Sequence, residues 1–265
     1  MRILLPIKQV PETSAVRMDE KTGTMIREGV EAIVNPLDLY AIEAAIGLRE
    51  RLGGEIVVIT MGPPNAVKAL REALAMGCDS AYLVSHPAFA GSDTWATSYV
   101  LAATARKLGA FDIILCGERA TDGDTGQVGP ELASFLDLPV VTYVGHIEWV
   151  KDGAAQVRRL VEDGYEVLEV SLPAVLTVVK EIAQPRLPTL RGKQQARRQE
   201  IPVLGVDDLD VNPQSLGLEG SPTRVVKIFR PKVARLCEKI PAGDEATVGP
   251  AVDRLVQWLE QRELL

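Results

Sequence analysis

The sequence predicts an α/β protein built on a mostly parallel, doubly wound sheet. Three observations predict it. Short β-rich apolar runs alternate with longer stretches of helical periodicity through the first half of the chain, the pattern of βαβ units. Gly and Pro punctuate the ends of these runs, at Gly53-Gly54, Gly62-Pro63 and Gly109. The 265 residues are 46% hydrophobic and 25% charged, an ordinary soluble globular profile with enough apolar side chains for a sizeable core.

Each element follows in order. Ile3–Ile7 is apolar between Arg2 and Lys8 and reads as a buried strand. "NPLDLYAIEAAIGLRERLG" reads as a helix, with Leu39, Ile42, Ala45, Ile46 and Leu48 near helical spacing. "EIVVITMGP" is a strand closed by Gly62-Pro63. "NAVKALREALAMGC" is a helix for which Asn65 is the expected N-cap. "SAYLVS" is a strand, and "SDTWATSYVLAATARKLG" a helix capped by Ser92 or Asp93. "FDIILCG" is a further strand, and a helix that includes "PELASFL" follows. Ligands on such sheets bind beyond the carboxyl ends of the strands, so the loops after Ile7, Ile59 and Leu115 matter most.

From Val140 the texture changes. Alternating and β-branched runs are broken at Asp152-Gly153 and Asp163-Gly164, which are hairpin signals. A strand near Ala174–Val179 is expected to return to the main sheet. "AQPRLPTLRGKQQARRQE" reads as a basic, Pro-containing surface segment. "LGLEGSPTRVVKIFRPK" reads as irregular and then briefly strand-like. The tail ends in an amphipathic helix with Val252, Leu255, Val256 and Leu259 on one face.

Composition excludes several classes. A net charge of −7 argues against a general nucleic-acid binder. Cys78, Cys116 and Cys237 form no CxxC pair, so neither a zinc site nor a disulfide framework is indicated. No apolar run approaches a membrane span, and "MRILLPIKQVPE" is charged too early for a secretory leader, so a cytoplasmic protein is expected. His86 and His146 lie far apart without metal-ligand spacing and read as surface or loop residues. No serine sits in GxSxG, and no carboxylate pair stands out. Cys116 reads as a small buried hydrophobe.

One stretch carries chemistry. "CGERATDGDTGQVGPELASFLDLP" places two aspartates, three glycines, Thr125 and Gln127 within Asp122–Gly129, between a strand and a helix. Glycines allow close approach of backbone to a ligand, consecutive N–H groups can nest anionic oxygens, and the following helix N-terminus adds partial positive charge. Asp122 and Asp124 would cap N–H groups or accept from a ribose hydroxyl or an adenine amine. The stretch is neither a Walker A motif nor GxGxxG. A plain tight turn with a helix cap stands beside the nucleotide reading. With no catalytic constellation in the chain, either a cofactor carries the reactivity or the protein only binds.

The residues also resemble a known family. "PIKQVPE", "GVEAIVNPLDLYAIEAA", "ITMGPPNAVKALREALAMGCD", "DGDTGQVGPELASFL", "EVSLPAVLTVVKEIAQPRLPTL" and "GLEGSPTRV" resemble, in family order, the beta subunit of electron transfer flavoproteins of the anaerobic, electron-bifurcating type. The resemblance implies a Rossmann-like, adenine nucleotide alpha hydrolase-like fold with a C-terminal arm. It implies a nucleotide domain over residues 1–228, with a docking loop at 184–200, and an arm over 229–265 that packs on an alpha subunit carrying one FAD.

In the respiratory branch the beta cleft holds AMP, and its motif reads roughly Asp-Asp-Asp-x-Asn-Gln-Thr-Gly. Here Gly123, Gly126 and Val128 depart from it. "DGDTGQVGP" instead resembles the branch in which the beta subunit holds a second FAD. That FAD takes a hydride from NADH, sends one electron to ferredoxin or flavodoxin, and sends the other through the alpha-subunit FAD to an acyl-CoA or related dehydrogenase. AMP is the alternative ligand. The implied cofactor-binding residues are Pro6, Asn35, Pro36, Leu37, Asp38, Met61, Gly117, Glu118, Arg119, Ala120, Thr121, Asp122, Gly123, Asp124, Thr125, Gly126, Gln127 and Val128. The implied docking residues are Pro188, Thr189, Leu190 and Arg191. Leu160 stands where the respiratory branch has a glutamate that pairs across the subunits. No metal and no side-chain nucleophile is implied.

Overall fold

The computed structural model describes residues 1–12, 32–226 and 239–265, together with the backbone of 17–18 and 25–26. The chain forms two compact units, Met1–Val226 and Lys227–Leu265.

In the first unit the elements run β1 (Arg2–Pro6), β2 (Gln9–Pro11), β3 (Arg17–Met18), β4 (Met25–Ile26), β5 (Ala32–Val34), α1 (Pro36–Leu52), β6 (Glu55–Met61), α2 (Val67–Met76), β7 (Ser80–Val84), α3 (Thr94–Leu108), β8 (Ile113–Gly117) and α4 (Val128–Leu136). They continue with β9 (Val140–Lys151), β10 (Ala154–Val161), β11 (Gly164–Ser171), β12 (Ala174–Val178), α5 (Leu190–Arg198), β13 (Val203–Leu204) and α6 (Gly217–Gly220). Nine strands form one sheet in the order β11-β10-β9-β12-β8-β1-β6-β7-β13. The run from β9 through β12, β8, β1, β6 and β7 to β13 is parallel, and β10 and β11 add antiparallel at one edge. The fold is the predicted Rossmann-like α/β arrangement.

Alternation along the central strands divides the core. Ile3 and Leu5 of β1, Ile56 and Val58 of β6, and Ile113 and Leu115 of β8 pack with Ile42, Ile46 and Leu70 of α1 and α2. Leu4, Val57, Ile59 and Ile114 point the other way, to Leu101 of α3 and Leu132 of α4. Strands buried on both faces must be apolar at every position, which is why they read as unbroken runs. Each fully buried Leu or Ile stabilises the sheet sandwich by roughly 2 kcal/mol.

Helix starts follow local chemistry. Pro36 opens α1 at a position where a missing N–H costs nothing. Asp93, not Ser92, caps α3 by accepting from the Ala96 N–H at 3.0 Å. Asn65 does not cap α2. It lies inside a 3-10 turn, Pro64–Ala66, and the cap position falls on Ala66, which has no side-chain acceptor. The proline pair Pro63-Pro64 favours this tighter entry and shifts the helix cap by one residue.

Asp152 and Gly153, at φ 53° and 75°, form the two-residue turn between β9 and β10. The next turn is centred one residue earlier than its dipeptide suggests, on Glu162-Asp163, and Gly164 already pairs with Val161. The basic surface segment is not all loop. Leu190–Arg198 forms α5, capped by Thr189 and packed against α2, where the Arg71 guanidinium binds the Ala196 carbonyl and reaches the Gln199 carbonyl at 3.3 Å.

In the second unit, α7 (Glu245–Glu260) is the predicted tail helix, opened by a capping box between Asp244 and Thr247. Val252, Leu255 and Val256 on it are exposed. The briefly strand-like part expected in "LGLEGSPTRVVKIFRPK" lies partly, and Cys237 wholly, outside the described residues. Among the described residues no helix is long and apolar enough to cross a membrane.

Candidate functional site

The sheet order places a topological switch point among the central strands. The chain proceeds from β1 outward to β6 and β7, then returns to the other side of β1 as β8 and β12. The switch point lies between β1 and β8, and the loops leaving their carboxyl ends diverge there. Pro6, Met61 and Gly117 end the three adjacent strands β1, β6 and β8, so the structure brings them to one edge.

The start of α1 staples these loops. The Asn35 side chain is 1% exposed. Its Nδ2 donates to the Arg119 carbonyl at 2.9 Å, and its Oδ1 accepts the Thr121 N–H at 3.1 Å. Both ends of the amide therefore hold the loop after β8. The Asn35 N–H donates to the Lys8 carbonyl at 2.8 Å, while the Lys8 N–H donates to Asp38 Oδ2 at 2.7 Å. Gly117 lies close against Asp38. Two residues at one helix start thus bind the exits of both β1 and β8. Gly117 is required here, because a Cβ would come within 2.4 Å of Asp38 Oδ1 and 2.9 Å of the Leu37 backbone.

Burial dominates the electrostatics of Asp38. Loss of solvent raises its carboxyl to about 7, against the opposing polar contacts with Lys8, Asn35 and Gly117 and the charge of Lys8.

The loop itself, Glu118–Gln127, is largely exposed. Asp124 and Gly126 take φ of 56° and 65°, so the backbone folds back on itself, with the Asp124 N–H donating to the Ala120 carbonyl at 2.8 Å. The N–H groups of Asp122, Gly123, Thr125, Gly126 and Gln127 find no acceptor among the described residues. The helix that follows, α4, has no side-chain cap at Gln127. An open helix N-terminus behind such N–H groups has the chemistry to receive anionic oxygens.

The two aspartates turn outward to cations rather than capping N–H groups. Lys8 Nζ meets Asp122 Oδ1 at 2.7 Å, and Arg119 Nη1 meets Asp124 Oδ1 at 3.2 Å. Their charges are locally offset, so the two carboxylates are compatible with an anion beside them. Glu131, in the first turn of α4, accepts from Thr94 Oγ1 at 3.1 Å and Ser98 Oγ at 3.0 Å, and Thr94 Oγ1 also reaches Gln127 Oε1 at 3.3 Å. These bonds brace the loop's exit against α3.

Lys8, Thr94, Ser98 and Glu131 were not singled out from the sequence. Lys8 carried a signal, since it sits in "PIKQVPE" one residue past a strand end. The other three come together only through the packing of α3 on α4. Cys116, beneath the loop, is buried and its thiol is pushed far up by loss of solvent, then by the Asp38 charge. His86 caps a 3-10 turn by accepting the Ala88 N–H at 3.1 Å, and His146 lies on β9 beside Glu148.

The expected docking residues Pro188, Thr189, Leu190 and Arg191 lie elsewhere. They precede and begin α5, on the helical layer of α1 and α2. The stretch 184–200, expected as a docking loop, has no regular structure up to Thr189 and is helical over Leu190–Arg198. Leu190 stands 84% exposed at the first position of α5.

Fold and switch-point loop together define a Rossmann-like α/β protein whose open backbone donors sit beyond the central strands. The chain belongs to the electron transfer flavoprotein family, on its beta-subunit side: the family model described as "Electron transfer flavoprotein domain" matches residues 22–209. It is 48% identical over 266 residues, covering 100% of each chain, to the electron transfer flavoprotein subunit beta of Thermoanaerobacterium thermosaccharolyticum. It is 47% identical, again over 100% of both chains, to the caffeyl-CoA reductase-Etf complex subunit CarD of Acetobacterium woodii. It is 40% identical to the acryloyl-CoA reductase electron transfer subunit gamma of Anaerotignum propionicum, over 97% of this chain and 98% of that one. The role of the chain is electron transfer.

Proposed function

We propose that this beta subunit holds an FAD of its own at the β1–β8 switch point and works as a heterodimer with an alpha subunit that carries another. The carrying observation is the set of N–H groups of Asp122, Gly123, Thr125, Gly126 and Gln127, without acceptors among the described residues, ahead of the uncapped α4, a donor set that fits the diphosphate of a dinucleotide. When bound, FAD would supply acceptance of a hydride from NADH and release of single electrons, one to ferredoxin or flavodoxin and one toward the alpha-subunit FAD and a dehydrogenase of the acyl-CoA or a related type. The names of the relatives, which include subunits of a caffeyl-CoA and an acryloyl-CoA reductase complex, support this placement.

The chain's own residues bind and orient. Backbone N–H groups of the loop and the N-terminus of α4 receive phosphate oxygens, and Thr125 adds a hydroxyl donor. Lys8 and Arg119 bring positive charge to the loop's rim, each already held by an aspartate. Asn35 and Asp38 keep the loop against α1, so the donors are set before the ligand arrives. No side chain acts as nucleophile or general acid. On the α1–α2 side, exposed Leu190 with Arg191 and the basic residues of α5 dock the dehydrogenase, an apolar anchor rimmed by charge that suits an acidic surface.

Two substitutions test the loop. Asp122→Ala frees Lys8 and the loop's link to β1, and Thr125→Ala removes a donor. Each is expected to weaken retention of this chain's nucleotide by about tenfold while the alpha-subunit FAD stays bound. Equal loss of both cofactors, or no loss at all, would contradict the assignment.

A further inference from the structure

Residues 183–189 have no regular structure, yet their centre is held firmly. The Arg186 N–H donates to Glu43 Oε2 at 3.0 Å. Its guanidinium grips two carboxylates of α1. Nε donates to both oxygens of Glu43 at 3.0 Å, and Nη2 to Glu43 Oε1 at 2.8 Å. Nη1 donates to Glu50 Oε1 at 2.7 Å and Nη2 to Glu50 Oε2 at 3.1 Å. Glu43 and Glu50 are about two helical turns apart and share one face of α1, so they match the two sides of a planar fork. The grip holds the Glu50 carboxyl below its ordinary range, chiefly through the Arg186 hydrogen bond.

The residue after the fork is Leu187, 88% exposed, and Leu190 follows across Pro188. Exposed ion pairs add little to stability. A bidentate, multiply bonded arginine does fix geometry, and here it fixes the backbone that carries two apolar side chains into solvent. Immobilising such side chains before contact lowers the entropy cost of docking.

We propose that Arg186 is a positioning residue for partner docking: its clamp on Glu43 and Glu50 presents Leu187 and Leu190 as a paired apolar anchor for the dehydrogenase. The inference rests on the docking role of this segment proposed above. The clamp also neutralises two carboxylates of α1 that would otherwise face an acidic partner.

The test uses the flavin-loaded heterodimer with an acyl-CoA dehydrogenase as redox partner, following the rate against heterodimer concentration. Arg186→Ala is expected to raise KM for the heterodimer about tenfold, with kcat changing less than about twofold and flavin content unchanged. The double variant Glu43→Gln, Glu50→Gln is expected to raise KM similarly, although it leaves Arg186 in place. If Arg186 instead touched the partner directly, removing the two glutamates would leave KM unchanged or lower it, and that result would overturn the clamp. KM unchanged in Arg186→Ala while Leu190→Ala raises it would also overturn the clamp and leave docking intact. KM unchanged in Leu190→Ala would contradict the docking role itself, and this inference with it.

Discussion

Asn35 and Asp38 show how much two side chains at one helix start can organise. They bind the backbone leaving β1 and the backbone leaving β8, elements far apart in sequence, and so hold the two loops at the proposed site. In the sequence they were visible only as a helix start with proline at its first position and through the family resemblance. Their partners, Lys8, Arg119 and Thr121, follow two separate strands, and no local spacing reveals such pairs.

Burial at this staple has a pH consequence. With the Asp38 carboxyl raised to about 7 in the fold, the folded chain binds more protons than the unfolded chain between about pH 4 and that value. Stability from this group is therefore fully present at acidic pH and is lost as pH rises through the window, by about 4 kcal/mol at most. Asp38→Asn should remove that slope. Urea midpoints of wild type and variant at pH 5 and pH 8 check it: the variant should gain relative to wild type at pH 8. Parallel pH profiles would contradict the burial account.

At the scale of elements, the central strands were legible because a doubly covered parallel strand must be apolar at every position. The Asp-Gly dipeptides located both hairpins, one of them off by a residue. The helix α5 was not legible. Its residues Leu190–Arg198 are almost all polar, so no apolar stripe marks it. Its formation follows from the Thr189 cap and from contacts with α2, neither of which has a periodic signature. Thr189→Ala removes the acceptor for the Gly192 N–H, now bonded at 2.9 Å. The loss should weaken the helix start by about 1 kcal/mol, seen as roughly fivefold faster hydrogen exchange in the first turn of α5. Unchanged exchange would show that packing on α2 alone holds the helix.

For the whole molecule, fold class could be read from the alternation of elements, whereas strand order could not. The return of the chain across β1 to form β8 decides where the crevice lies, and that is a property of tertiary packing. Once the order is known, the Gly- and Asp-rich stretch falls at the switch point, and its composition gains a reason. The loop needs positive φ at Asp124 and Gly126 to leave successive N–H groups free, and it needs no side chain at Gly117 to approach α1.

The central claim is that this loop holds a redox flavin rather than a structural nucleotide. Its most direct test is the flavin and AMP content per heterodimer after co-expression with the alpha subunit, by acid release, chromatography and the visible spectrum. Two FAD and no AMP are expected. One FAD and one AMP would contradict it, and would leave the chain as a docking and scaffolding subunit.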